Sequence, residues 1–322
     1  MTVLVLTRQL VESPADLVVH ELNRRGVPVH RIDPGDFPRQ VMLSARIGPG
    51  QNDWMGGWRG QHRELALGDV TAVYYRRPSP HEIDPVLSDD DATWARSEAR
   101  AAFRGIVQSL RCRWVNHPRH NVIADSKPRA LATAARSGLR IPATLITNDP
   151  REARAFVASL PNRTAVYKPI APPGQRVFNG EKAAVWTSPP LGPDDLTDEI
   201  TFTAHTFQQW IPKKHEVRLT VVGERLFAGE IHAHSDESRI DFRRDYDALT
   251  YQVCTVPDDI TVGVHRLMAI FNLRYAALDF LVDHDDTWHL VDVNPNGQYG
   301  FIPELAQPIA RAIADLLEGR MS

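Results

Sequence analysis

Apolar residues along this chain come in short unbroken runs separated by stretches of helical periodicity. The run "TVLVLT" at residues 2–7 suits a strand buried on both faces. After it, Ser13-Pro14 opens a helix in which Leu17, Val18 and Leu22 recur at helical spacing, and Gly26 ends it. "VPVHRID" at 27–33 reads as the next strand, and "AVYYRRP" at 72–78 as another, broken by Pro78. Residues 92–110 carry Trp94, Glu98, Ala102, Ile106 and Leu110 and predict a helix. This is a β-α-β arrangement without a Gly-rich phosphate turn, which argues against a dinucleotide site.

Farther on, "NHPRHN" at 116–121 reads as a linker, and "DSKPRALATAARSG" as a helix stopped by Gly138. "IPATLIT" and "AVYKPI" are strands, and the Pro/Gly-rich "APPGQRVFNGEK" at 171–182 is a loop by composition. "AHTFQQWI", "EVRLTVVG" and "RLFAGEIHAH" alternate as strands around the turn Gly223-Glu224. A helix at 260–272, a last hairpin and a closing helix complete an α/β chain.

Composition narrows the class. With 322 residues the chain has room for two or three domains. A net charge of −3 provides no global basic field for nucleic acid. Cys112 and Cys254 stand far apart without metal-type spacing and read as reduced thiols. The apolar N-terminus lacks the basic start and small-residue cleavage site of a signal peptide. Nothing approaches the ~18 apolar residues of a membrane span, so a cytoplasmic location is expected.

The stretch "YAALDFLVDHDDTWHLVDVNPNG" brings in chemistry. With Asp285-Asp286 as a two-residue turn, 279 opposes 292, and opposed residues place their Cβ atoms ~4.5–5.5 Å apart on one face. Asn294 shares that face, while Phe280 opposite Val291 points to the other. Two carboxylates so close repel unless a cation lies between them or one is protonated. Asp279, Asp292 and Asn294 are hard oxygen donors that suit Mg²⁺ completed by waters and substrate phosphates. An exposed polar face on an edge hairpin would carry the same residues, so the rest of the chain must decide.

Mg²⁺ held by one or two carboxylates usually accompanies a nucleotide, which calls for phosphate-binding cations. Lys127 begins a helix, and Lys168 lies in an apolar strand, where an ammonium without a partner is costly. Either lysine taken alone is also compatible with a solvated side chain. No Walker A sequence occurs, so a P-loop enzyme is excluded. In "FQQWIPKKHEVRLTVVG" a strand end and polar crossing offer backbone groups to an adenine edge. Glu216 there suits ribose hydroxyls, and Arg218 on the same face a phosphate.

The order of first lysine, strand lysine, loop, hinge with E-x-R, then "LDF…VDVNPNGQ" resembles the ATP-grasp superfamily. Within it, "YYRRP", "WVNHPRHNVIADSKPRALATAARSGLRIPATLITND", "FQQWIPKKHEVRLTVVG" and "VDVNPNGQYG" are similar to the microviridin-type, or graspetide, peptide macrocyclases. The resemblance spans nearly the whole chain. It implies an ATP-grasp fold preceded by a Rossmann-like pre-ATP-grasp domain at 1–118. A central subdomain at 119–200 would cover ATP and dock a leader peptide, around 143–200. A C-terminal subdomain at 201–322 would carry the metal site.

By this resemblance Lys127 and Lys168 contact ATP phosphates, Gln209, Trp210 and Ile211 line adenine, and Glu216 holds ribose. Asp279, Asp292 and Asn294 hold Mg²⁺; relatives commonly carry Glu where Asp292 stands. The loop 171–182 has only two glycines and matches the family's phosphate-covering loop weakly. Arg218 meets a phosphate, Arg243 a substrate carboxylate, and His232 helps deprotonate a hydroxyl; a surface arginine and a solvated histidine are the plain alternatives for the last two. For Arg76 and Arg77 an ion pair to the next domain and a peptide contact are equally compatible.

The implied reaction activates Asp or Glu side chains of a ribosomal precursor peptide as acyl phosphates. Thr or Ser hydroxyls, or Lys amines, then close ester or amide rings. The partner is a precursor with leader and core; neither nucleic acid nor membrane is expected, and a homodimer is. The competing readings are an ATP-grasp ligase adding a free amino acid such as glutamate, and a non-catalytic nucleotide-binding module.

Overall fold

A computed structural model of the chain describes residues 2–8, 13–61, 63–170, 176–178, 181–183 and 187–320. The first element is β1 (Thr2–Leu6), in which Val3, Leu4, Val5 and Leu6 are all buried, as a strand covered on both faces requires. It is followed by α1 (Ser13–Arg24), β2 (Val29–Ile32) and a small antiparallel sheet of β3 (Met42–Arg46), β4 (Met55–Arg59) and β5 (Glu64–Ala66). That small sheet has no clear signature in the hydrophobic pattern. Its alternation is interrupted by Gly56 and Gly57, and it buries little beyond Trp58 and Leu65.

Next come β6 (Val70–Tyr75), α2 (Asp89–Gln108) and β7 (Arg113–Val115). Ser88 caps α2 by accepting from the Asp91 N–H, and Asp89, Asp90 and Asp91 fill the positive first turn. Strands β2-β1-β6-β7 form one parallel sheet, as the β-α-β pattern predicts. The segment expected to be a linker is instead a buried junction. Asn116 is 2% exposed and donates to the Tyr275 and Pro295 carbonyls while accepting from the Arg274 and Tyr275 N–H groups.

The middle of the chain contains α3 (Pro118–Ala124), α4 (Lys127–Arg136), β8 (Thr144–Thr147), α5 (Pro150–Ser159) and β9 (Ala165–Lys168). The hairpin β10 (Arg176–Phe178) and β11 (Glu181–Ala183) and the strand β12 (His205–Gln209) follow. The expected loop at 171–182 falls largely outside the described residues. Strands β8-β12-β9 make an antiparallel sheet whose Phe207 and Ala165 pack on Ala153 and Val157 of α5. Thus β12 belongs to the central sheet, beyond the boundary at 200 expected from the sequence.

The C-terminal sheet takes β13 (Lys213–Val222), β14 (Arg225–Ala233), β15 (Leu249–Cys254), β16 (Tyr275–Asp283) and β17 (Trp288–Asn294), in the order β15-β14-β13-β16-β17. The helices α6 (Asp236–Ile240), α7 (Asp258–Phe271) and α8 (Pro303–Glu318) complete the chain. One sheet face, with Val217, Leu219, Val221, Leu278 and Phe280, is buried with Val264, Leu267 and Phe271 of α7 and Ala130 and Ala134 of α4. At one end of the opposite face Val222 and Tyr275 pack on α8, whose Ile309 and Ile313 also join the N-terminal core of Val3, Val5 and Tyr74. The other end of that face carries the polar residues. No described helix is long and apolar enough to cross a membrane.

Candidate active site

The hairpin carrying the carboxylates reaches the expected pairing by an unexpected route. The turn between β16 and β17 has three residues, 284–286, with Asp286 in the left-handed region at φ 59. Val282 therefore pairs with Trp288 and Phe280 with Leu290, one step off the register of a two-residue turn. A bulge then skips Val291, so that Asp279 opposes Asp292 and Ala277 opposes Asn294. Longer turn and bulge cancel, and the three expected metal ligands share one face.

Around them the structure brings a cavity between the central and C-terminal sheets. Lys127, Lys168, Gln209, Trp210, Ile211, Glu216, Arg243, Asp279 and Asp292 all line it. Lys127 stands in the first turn of α4 and donates to the Pro169 carbonyl at 2.8 Å. Lys168 ends β9 and donates to Gln208 Oε1 at 2.8 Å. Burial pushes the Lys168 pKa down to about 8, against the opposing pull of Asp292 and Glu216. Both lysines therefore rest on neutral oxygens, leaving their charge for an anion.

Gln209 and Trp210 use their backbone N–H groups on the Ala143 and Thr164 carbonyls, which anchors the crossing into β13. Glu216, expected to meet ribose, accepts from Lys213 Nζ at 2.6 Å. Arg218 lies with Nε 3.0 Å from Asp279 Oδ1, opposite it in the sheet. The contact is not in line for a hydrogen bond, and Nε and Nη1 of this buried guanidinium have no hydrogen-bond partner among the described residues. A buried Arg with unspent N–H groups is suited to an incoming phosphate or carboxylate.

Asp279 shows what the carboxylate pair lacks. Burial raises its pKa to about 6, and the charges of Asp292 and Glu216 add to that while Arg218 opposes it. Asn294 Nδ2 stands 3.2 Å from Asp292 Oδ2 and 3.4 Å from Asp279 Oδ2, bridging the two acids. A divalent cation would relieve the same repulsion, with Asn294 turned to offer its carbonyl oxygen. The donor set of two carboxylates and an amide fits an oxygen-seeking ion.

The two remaining expected site residues, Arg243 and His232, are placed differently. Arg243 lines the cavity but is clamped onto Asp241 at 2.8 and 2.6 Å. Burial alone would raise the Asp241 pKa, yet the Arg243 hydrogen bonds and charge bring it down to about 2. His232 is not in the cavity. Val217 pairs with Glu230, so Glu230 and His232 point to the α7 side of the sheet, away from Glu216 and Arg218. A hydroxyl held in the cavity has no access to that imidazole, and its expected catalytic role falls on register.

Sequence reasoning missed Gln208, Lys213 and Asp241. Gln208 adjoins the hinge quoted above, but nothing local shows that its amide seats Lys168 across two strands. The open question about Arg76 and Arg77 is resolved as well. Arg76, 1% exposed, donates to the Gly297 carbonyl at 3.1 Å and to Gln298 Oε1 at 2.7 Å and lies over the Tyr299 ring. Arg77 donates to the Asn296 carbonyl at 3.1 Å. The N-terminal domain thereby grips the turn that follows Asn294. A Cβ on Gly297 would stand 2.3 Å from Ala277 Cβ, so only glycine fits the closed turn.

Comparisons with known proteins agree with this geometry. Residues 2–122 match the family model of the MvdD pre-ATP grasp domain. A RiPP-associated ATP-grasp ligase of Chryseobacterium gregarium, solved with ADP and a leader and core peptide, is similar over 100% of this chain and 97% of its own, at 27% identity and TM-score 0.92. The macrocyclase MdnC of Microcystis aeruginosa MRC, bound with precursor peptide MdnA, is similar over 99% of this chain and all of its own, at 27% identity and TM-score 0.85. MdnB of the same organism, also a macrocyclase, is 26% identical with TM-score 0.79 and covers 98% of each chain. Comparison with curated protein sequences finds no match.

Two sheets closing on a cavity with lysines on one side and paired carboxylates on the other define an ATP-dependent ligase of the ATP-grasp fold. Together, the family-model match and these relatives support a graspetide-type ATP-grasp ligase.

Proposed function

We propose that this enzyme uses ATP to join Asp or Glu side chains of a ribosomal precursor peptide to Thr or Ser hydroxyls, or Lys amines, of the same peptide. The observation that carries the reading is the convergence of Lys127, Lys168, Asp279 and Asp292 on one cavity, with Arg218 beside Asp279. The relatives solved with leader and core peptide supply the substrate class.

A carboxylate oxygen attacks the γ-phosphorus of ATP and ADP leaves, giving an acyl phosphate. The hydroxyl or amine then attacks the acyl carbon, the carbon–oxygen bond to phosphate breaks, and the nucleophile loses its proton. Lys127 and Lys168 hold the phosphates, and the Arg218 guanidinium faces the charge that develops on the transferred group. Glu216 and the Gln209–Trp210–Ile211 crossing hold the nucleoside. Asp279, Asp292 and Asn294 are the ligands for Mg²⁺, which neutralises phosphate charge when bound. Arg243, kept in place by Asp241, is positioned for the peptide carboxylate. The leader is assigned to the central subdomain, where Phe202 is an exposed apolar group. Binding energy gained there would hold the core beside ATP.

The test incubates enzyme, ATP, Mg²⁺ and a candidate precursor carrying Thr/Ser and Asp/Glu, then weighs the peptide. Each bond formed should remove one water. A product heavier by an amino acid residue would establish the ligation of a free amino acid instead.

A further inference from the structure

Three side chains on the back of the nucleotide sheet are left unused by the ligase reaction. His215 begins the regular part of β13, and Glu230 and His232 lie beside it on β14. His232 Nε2 is 2.8 Å from Glu230 Oε2, and His215 Nε2 is 3.8 Å from Glu230 Oε1. The two imidazole rings are tilted by 46° to one another with centroids 5.2 Å apart. One donor atom from each of the three residues lies within 4.8 Å of the other two.

His215 is the anomaly. Its side chain is only 9% exposed, Nδ1 is buried without a hydrogen-bond partner among the described residues, and Nε2 is beyond hydrogen-bond reach of Glu230. Nε2, the nitrogen directed at Glu230 but making no hydrogen bond to it, is the one left open to an ion. A proton shared with Glu230 would be the alternative. At 3.8 Å, however, Nε2 stands too far from Glu230 Oε1 to share a proton through a hydrogen bond.

We propose that His215, Glu230 and His232 form a Zn²⁺ site on the face of the sheet opposite the ATP cavity. Two neutral imidazole nitrogens and one carboxylate oxygen, with a fourth position open, make a donor set that Zn²⁺ takes readily. Tetrahedral ligands at zinc distances stand about 3.4 Å apart; His232 and His215 lie 2.8 and 3.8 Å from the two different oxygens of Glu230, and one donor atom of each residue lies within 4.8 Å of the other two. The nitrogen donors also separate this site from the all-oxygen set of Asp279, Asp292 and Asn294, which suits a harder ion. Zinc here would tie β13 to β14 beside Glu216 and stiffen the strand that carries the nucleoside contact.

The test titrates chelator-treated, desalted enzyme with Zn²⁺ against a chromophoric zinc indicator, with Mg²⁺ in excess at the carboxylate hairpin. One equivalent should be taken from the indicator at sub-micromolar free zinc. His215→Gln and His232→Gln should each weaken that uptake at least tenfold, while Asp292→Asn leaves it in place. ADP affinity within twofold of wild type in the two histidine variants shows that they are folded. Zinc uptake that is absent from the wild type, or unchanged in the His215→Gln/His232→Gln double variant, overturns the site. So does uptake lost only in Asp292→Asn, which places the ion at the hairpin.

Discussion

Lys168 joins a buried ammonium to a function that needs its charge. Below a pH of about 8 it is protonated in the folded protein and attracts phosphate; above, it becomes neutral. ADP affinity should therefore fall as pH rises from 7 to 9, a trend read by calorimetry. In Lys168→Gln the profile should flatten, and affinity at pH 7 should drop by one to two orders of magnitude, since hydrogen bonds to charged groups contribute about 1.5–3 kcal/mol. Stability moves the opposite way. Because the folded pKa lies below the unfolded one, the unfolded chain binds more protons between about 8 and 10.5, and this group adds stability as pH rises through that window. Asp292→Asn preserves shape and removes a charge at the hairpin. Turnover should collapse at limiting Mg²⁺ and recover in part at high Mg²⁺ by mass action. Wild-type turnover at limiting Mg²⁺ would show the residue to be a polar face position only.

At the scale of elements, the strap formed by residues 295–298 is held from outside its own domain. Arg76 and Arg77 donate to its carbonyls, and Asn116 donates to Pro295. Replacing Arg76 by Met keeps the apolar stem but removes the guanidinium hydrogen bonds to Gln298 and to the Gly297 carbonyl, which keeps the Tyr275 hydroxyl. Hydrogen bonds to charged groups contribute about 1.5–3 kcal/mol each. The Arg76→Met variant should therefore melt several degrees lower. It should also lose kcat at saturating Mg²⁺·ATP, because the strap follows Asn294 directly. A variant with lowered stability and unchanged turnover would show the grip to be architectural alone.

Over the whole molecule, α8 is the common element. It packs on α1 and the N-terminal core with one side and on β13 and β14 with another. Arg25 of the N-terminal domain contacts Asp315 and Glu318 on it. Removing residues 1–118 would uncover Ile309 and Ile313, so the remainder should aggregate. The intact enzyme should unfold the N-terminal and C-terminal sheets in one calorimetric transition. Two resolved transitions, one of them retained in a fragment of residues 1–118, would show that they are separable.

Local chemistry made much of this legible before any contact was known. Unbroken apolar runs marked β1 and β6, helical spacing and Gly26 or Gly138 marked α1 and α4, and paired Asp on a hairpin marked the face where Asp279 opposes Asp292. These signals depend on neighbours in sequence, where period and turn chemistry act directly. The register of β14 is of another kind, since a strand's period of two shows which residues share a face but not which face meets ATP. His232 went to the far side for that reason, and Gln208 and Asn116 acquired partners tens of residues away. The even Asp279–Asp292 pairing was foreseen through a turn and register that were each one residue off. What the sequence alone determined was therefore many of the elements, though not the small β3–β5 sheet, and the residue types the reaction needs. Tertiary structure decided which charges meet, because burial and long-range pairing, not local pattern, set the energy of a carboxylate or an ammonium.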